Sequence, residues 1–188
     1  MASYHISESQ LAQERRWVEA AKQDPKSFGG LYDFYYNRIY LFIFKRVETE
    51  DEAADITAQT FLKALTNIAK FSFQGVPFAA WLYRIALNEV NMYYRKDKSH
   101  LVESVEKVQL AEMIEEPNAL FSDGMMKQLS AALQNLNPDD MQLISLRFFE
   151  GLPFKEAADV LGITENNAKV RTYRILERMK KQFRTLER

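Results

Sequence analysis

The segment Phe71–Ser99, FSFQGVPFAAWLYRIALNEVNMYYRKDKS, combines a Gly-Pro loop carrying aromatics with a helix that bears one polar stripe. With Pro77 as its first helical position, where a missing N–H costs nothing, Arg84, Asn88, Asn91 and Arg95 fall on one face with Trp81 beside them. Phe78, Leu82, Ile85 and Met92 fall on another, the expected buried one. Cations and amides next to an indole suit single-stranded nucleic acid. Bases stack or insert, amides read their edges, and cations hold the phosphates. A solvated polar face on a core helix explains the same stripe. Most loop-free aromatics of this half read as core, whereas Phe71 and Phe73 sit in the loop and are candidates for the same surface.

A second constellation lies in LPFKEAADVLGITENNAKVRTYRILERMKK. Pro153 opens a short helix, Ala157 and Ala158 permit close packing, and Gly162 can take the left-handed conformation that ends it. Ile163 can plug the corner and Thr164 can cap the next helix, which is the pattern of a helix-turn-helix. On that next helix Ala168, Thr172, Ile175, Leu176 and Met179 share the expected core face. Asn166, Asn167, Val170, Arg174 and Lys181 point away, flanked by Lys169, Arg171, Tyr173 and Arg178. Amides, cations and a small apolar group on one narrow face fit reading of base edges in the major groove. An ordinary helical hairpin with a basic exposed helix is the plainer alternative.

The elements that position these residues are all helical. No sustained alternation marks a strand, and Gly and Pro punctuate segments with helical apolar spacing. Helices are predicted near Glu8–Lys22, Pro25–Arg46, Glu50–Ile68 and Pro77–Lys96, then Gly124–Leu136, Pro138–Glu150, Pro153–Leu161 and Thr164–Thr185. Asp24 before Pro25 and Asn137 before Pro138 are N-cap signals. The fold class is therefore all-α, with two small helical domains joined by an acidic linker. The expected division is an N-terminal extension at 1–24, a first domain at 25–98, a linker at 99–123 and the helix-turn-helix domain at 124–188.

Charge separates these parts. Glu165 to Arg188 holds eight Lys or Arg against three Glu, whereas Asp97 to Asp123 holds two Lys against seven Asp or Glu, within a chain of net charge −1. A basic end and an acidic middle imply different partners for different segments. Of 188 residues none is Cys, which excludes disulfides and thiolate metal sites. The polar start and the absence of a long apolar run argue against a secretory signal and a membrane span, so a cytoplasmic location is expected. Both histidines, His5 and His100, lie in the polar start and the linker, poorly placed for acid–base work or metal ligation. No catalytic residue, metal site or cofactor is expected.

Four segments also carry a family resemblance: SFGGLYDFYYNRIYLFIFKR, DEAADITAQTFLKAL, FAAWLYRIALNEVNMYYRK and LQNLNPDDMQLISLRFFEGLPFKEAADVLGITENNAKVRTYRILERMKK. In order and spacing they resemble bacterial sigma factors of the extracytoplasmic-function (ECF) group. The resemblance implies a promoter-specificity factor that recruits core RNA polymerase and contacts promoter DNA, with an anti-sigma factor as a further partner. It implies that Phe71, Phe73, Trp81, Arg84, Asn88, Asn91 and Arg95 face the minus-ten element and its melted strand. By the same carry-over, Asp51, Glu52, Asp55, Gln59 and Phe61 match the polymerase-binding helix. Asn166, Asn167, Lys169, Val170, Arg171 and Arg174 would read the minus-thirty-five element, and the acidic linker would thread the RNA exit path. A helix-turn-helix regulator that binds duplex DNA alone explains the C-terminal half but leaves the loop and the acidic helix without work.

Overall fold

The computed structural model describes residues 8–73, 75–97 and 123–186, and all regular elements among them are helical. Four long helices build the N-terminal half: α1 (Glu8–Gln23), α2 (Gly29–Phe44), α3 (Glu50–Asn67) and α4 (Phe78–Asp97). The C-terminal half holds α5 (Asp123–Gln134), α6 (Pro138–Ile144), α7 (Phe154–Leu161) and α8 (Glu165–Leu186). The acidic stretch expected at 99–123 lies outside the described residues except for Asp123, which opens α5, and so does the polar start at 1–7.

Local chemistry sets the boundaries. The Asp24 side chain accepts from the Lys26 N–H at 3.0 Å, which caps a 3₁₀ turn at Pro25–Phe28 rather than starting one continuous helix to Arg46. The Thr49 hydroxyl accepts from the Glu52 N–H while the Glu52 carboxylate accepts from the Thr49 N–H, a reciprocal capping box that starts α3. α4 begins at Phe78, one residue after Pro77. The Asn137 side chain accepts from the Asp140 N–H at 2.8 Å and starts α6 as expected. The helix predicted over Pro138–Glu150 instead switches to a π turn at Ser145–Phe149, with the Glu150 N–H reaching the Ser145 carbonyl.

The N-terminal core is aromatic. Phe78 is fully buried at its centre, with ring centroids of Phe71 at 5.3 Å, Trp81 at 5.4 Å, Tyr35 at 5.8 Å and Phe28 at 6.5 Å. Leu31, Tyr35, Ile39, Phe42 and Ile43 of α2 complete it at helical spacing. Of the face predicted to be buried on α4, Phe78 and Leu82 are, but Ile85 and Met92 are only half-buried. Ala86, Val90 and Tyr94 take the deep positions instead, because α4 is gripped from two sides.

Those two sides are α3 and α7: α4 packs along both, and so joins the two halves. Around that contact the Arg46 guanidinium, 1% exposed, donates to the Ser145 hydroxyl at 2.7 Å. Lys45 pairs with Glu150 at 3.0 Å, and the Tyr83 hydroxyl donates to the same carboxylate at 3.3 Å. Glu14 of α1 is buried; it accepts from the Phe78 N–H at 2.8 Å and from the Tyr35 hydroxyl. A carboxylate thereby satisfies the first free N–H of α4, the place where the helix dipole favours it.

Candidate nucleic-acid interface

The helix-turn-helix is built as its residues dictate. Gly162 has φ +67° at the end of α7, and the Ile163 N–H reaches back to the Ala158 carbonyl at 3.0 Å, closing the turn. The Thr164 hydroxyl accepts from the Asn167 N–H at 3.2 Å and caps α8. Ala168, Thr172, Ile175 and Met179 are buried beneath α8, but Leu176, expected among them, is 40% exposed. It sits a step round the helix from Ile175, past the edge of the surface that α6 and α7 cover.

Asn166, Asn167, Lys169, Val170 and Arg174 are exposed along α8, as a base-reading face requires. Arg174 forms no ion pair among the described residues, while Lys169 pairs with Glu165 at 2.6 Å. Arg171 does not share the free face. Its Nε donates to Asp140 Oδ1 at 2.6 Å, a partner on α6 that helical spacing could not disclose. A shallow groove of 590 Å³ runs over this flank between Asp140 and the cations Arg171, Arg174, Arg178 and Lys181.

The stripe on α4 is divided. Asn88 and Arg95 are exposed and Asn91 is half-buried, with Arg95 Nε donating to the Asn91 carbonyl at 3.3 Å. Arg84 is committed to the other half of the molecule. Its Nε donates to the Asp159 carbonyl at 2.9 Å and its Nη2 pairs with the Asp159 carboxylate at 2.9 Å. A cation on the last-turn carbonyls of α7 is favourable for the helix dipole as well as for the ion pair.

The loop aromatics differ from expectation. Phe71 is 6% exposed and belongs to the core, edge-on to Phe73 and Phe78 and tilted against Trp81. Phe73 is half-buried with the Arg15 guanidinium 5.3 Å from its ring centre. Trp81 remains half-open and lines a 310 Å³ cleft with Lys63, Asn67, Lys70, Asn88 and Glu89. Lys63, Asn67 and Lys70 were missed because they come from α3 and the turn after it. Only the α3–α4 packing brings them beside the stripe. Lys63 is held there by Glu89 at 2.6 Å.

The acidic helix shows the same sorting. Asp51, Asp55 and Gln59 are exposed at steps of four on α3, with Leu62 continuing that face at 54% exposure. Phe61, expected with them, is buried against Tyr32, Tyr36 and Phe28. Glu52 is occupied by its capping box and by the Tyr93 hydroxyl at 2.6 Å. The tyrosine hydrogen bond, acting against partial burial, holds its carboxyl below the usual range. Among the described residues, no group of three or more His, Asp or Glu could hold a metal, and no helix is long and apolar enough to cross a membrane.

An all-helical protein that combines a helix-turn-helix with a cleft lined by Trp81, Lys63 and Lys70 has the features of a nucleic-acid-binding class. Comparison with known proteins narrows that class. Residues 31–100 match the family model for sigma-70 region 2, and residues 126–179 match that for sigma-70 region 4. The chain is 34% identical over 176 residues to the ECF RNA polymerase sigma factor BldN of Streptomyces coelicolor, covering 89% of this chain and 65% of that protein. It is 28% identical over 183 residues to the ECF sigma factor SigW of Bacillus subtilis, covering 92% of this chain and 97% of that protein. Among solved structures it superposes on CnrH, seen in complex with the cytosolic domain of CnrY, with a TM-score of 0.62 at 21% identity. That match covers 92% of this chain and 97% of CnrH. The chain belongs to the ECF family of RNA polymerase sigma factors.

Proposed function

We propose that the chain is a promoter-specificity subunit that recruits core RNA polymerase and directs initiation at promoters with its own minus-ten and minus-thirty-five elements. It performs no catalysis itself. The observation that carries the reading is the occurrence, in one chain, of sigma region 2 and region 4 matches, supported by a cleft lined by Trp81, Lys63 and Lys70 and by the exposed amides and cations of α8.

The working division assigns residues 25–98 to promoter melting and polymerase binding, 99–123 to an acidic linker and 124–188 to duplex reading, with 1–24 as an N-terminal extension. On α3, Asp51, Asp55, Gln59 and Leu62 dock on polymerase; the exposed line they form supports this. In the cleft, Trp81 stacks a base of the melted strand, Asn88 reads its edge and Lys63 and Lys70 hold the phosphates. Asn91, Arg95 and, once released from Asp159, Arg84 continue that path. On α8, Asn166, Asn167, Lys169, Val170 and Arg174 enter the major groove. An anti-sigma factor is a further partner, in keeping with the structure of sigma factor RpoE with the anti-sigma factor NepR from Bartonella quintana.

The primary test is transcription by the purified chain with sigma-free core polymerase on promoter DNA from its own genome. Start sites that require both proteins support the reading. Tight duplex binding by the chain alone, with no specific starts, supports a stand-alone regulator instead.

Arg174→Ala is expected to weaken recognition of the upstream element by about 1–3 kcal/mol and to leave core polymerase binding unchanged. Competition between intact and scrambled upstream elements measures the first quantity, and pull-down of core enzyme measures the second. Trp81→Ala is expected to spare closed-complex formation and to reduce strand opening, with about 1–3 kcal/mol of base stacking lost. Normal permanganate reactivity in that variant would remove the base-stacking role from the cleft.

A further inference from the structure

Asp140 is nearly buried, 5% exposed, at the start of α6, and both its carboxylate oxygens are in use. Arg171 Nε donates to Oδ1 at 2.6 Å, Arg178 Nη2 donates to Oδ2, and Asn137 Nδ2 donates to Oδ2 at 3.0 Å. Arg171 and Arg178 are two helical turns apart, so one carboxylate pins two cations in register along a single flank of α8. That flank borders the exposed line of Asn167, Val170 and Arg174.

We infer that Asp140 is a positioning residue for duplex specificity: it fixes Arg171 and Arg178 as preset phosphate clamps beside the base-reading side chains of α8. The inference rests on the duplex-reading role proposed for α8. A guanidinium carries five donors: Arg171 spends Nε on Asp140 and directs Nη2 at Asp139 Oδ2 at 3.5 Å, Arg178 spends one Nη on Asp140, and each keeps further N–H groups for a phosphate. Fixing the side chains removes rotamer freedom before DNA arrives, so the clamps engage only when the helix lies in one register. Free arginines would reach phosphates in many registers and strengthen binding to any sequence. Burial alone would raise the Asp140 carboxyl, but the two guanidiniums outweigh it and hold the group below its usual range.

The test uses full-length chain assembled with core polymerase, on duplexes whose upstream element is intact or scrambled, across a salt series. Asp140→Asn is expected to lower the intact-to-scrambled affinity ratio roughly tenfold. The salt slope on scrambled DNA should steepen by about one to two, near 0.9 for each phosphate gained. Asp140→Glu should recover most of the ratio, which a general loss of domain stability would not explain. Arg178→Gln leaves Asp140 bonded to Arg171 and Asn137, and should make the slope on intact DNA shallower by about one.

A ratio unchanged by Asp140→Asn, with the two affinities equal to wild type or falling together, overturns the inference. So does an unchanged slope in Arg178→Gln. A wild-type protein that cannot tell the two duplexes apart is a different failure. It removes the duplex-reading role of α8 itself, and the positioning role with it.

Discussion

Truncation of Phe78 to alanine is expected to destabilise the protein by about 3–5 kcal/mol, the largest loss of any single substitution considered. The ring is fully buried and lies within 6.5 Å of four other aromatic rings, from α2, the turn before it, the loop and α4 itself. No neighbour can follow a vanishing ring from so many sides, so a cavity remains and adds to the lost transfer energy. The damage should also reach the proposed base-stacking cleft, because Phe71 and Trp81 lean on Phe78 and the cleft begins at Trp81. Urea unfolding measures the effect, with Tyr173→Ala as the control: that side chain is 65% exposed, and its loss should stay within about 0.5 kcal/mol. A midpoint shift for Phe78→Ala no larger than the control's would displace the aromatic centre from its role as the core.

Glutamine at position 156 is expected to remove a pH dependence that the wild type shows. Burial on α7, reinforced by the Glu14 carboxylate of α1, pushes the Glu156 carboxyl up to about 7, and one of its oxygens is buried without a hydrogen-bond partner. The folded protein therefore keeps a proton on Glu156 that the unfolded chain releases above about pH 4.5. Stability from this group is complete below that value, falls as pH rises through the window, and is lost above about 7. The full shift corresponds to about 3 kcal/mol, reduced to about 2 kcal/mol by partial solvent access. Glu156→Gln should match wild type at pH 4, below the window, and exceed it by about 2 kcal/mol at pH 8. Glu14, raised by its own burial, leaves a smaller slope of the same sign in both proteins. Unfolding curves at the two pH values decide the matter: parallel profiles for wild type and variant would place Glu156 in water.

Much of the architecture was readable because it is set by neighbours in sequence. Asp24, Asn137, Thr164 and Gly162 each act within a few residues, and each does what its type and position imply. The capping box of Thr49 and Glu52 carried an equally local signal in the string TEDE and went unread. Residues whose fate depends on distant partners were less legible. Phe71 and Phe61 look free in a loop and on a helix face, and only the packing of α2 onto α3 and α4 shows that both are core. The resemblance assigns Arg171 to the DNA face and spacing puts it on the flank, but only the structure shows its Nε held by Asp140 on another helix. The π turn after Ile144 has no sequence signature comparable to a cap. Ser145 and Glu150, at its two ends, are instead engaged with distant residues, Arg46, Lys45 and Tyr83.

Arg84 has two claimants. While the Arg84 Nε and Nη2 hold the carbonyl and carboxylate of Asp159, the guanidinium is turned toward α7, so in the proposed role the clasped molecule and the strand-binding molecule compete for the same two nitrogens. Competition of this kind works as a tariff on affinity: the apparent dissociation constant equals the intrinsic one divided by the fraction unclasped. A clasp favoured by about 2.8 kcal/mol leaves roughly one molecule in a hundred ready and weakens apparent binding about a hundredfold. Any partner that grips only the unclasped form repays that factor to the DNA, and any partner that grips only the clasped form multiplies it. If Arg84 serves the melted strand as proposed, the same side chain also sets how rarely the lone protein attempts to open one.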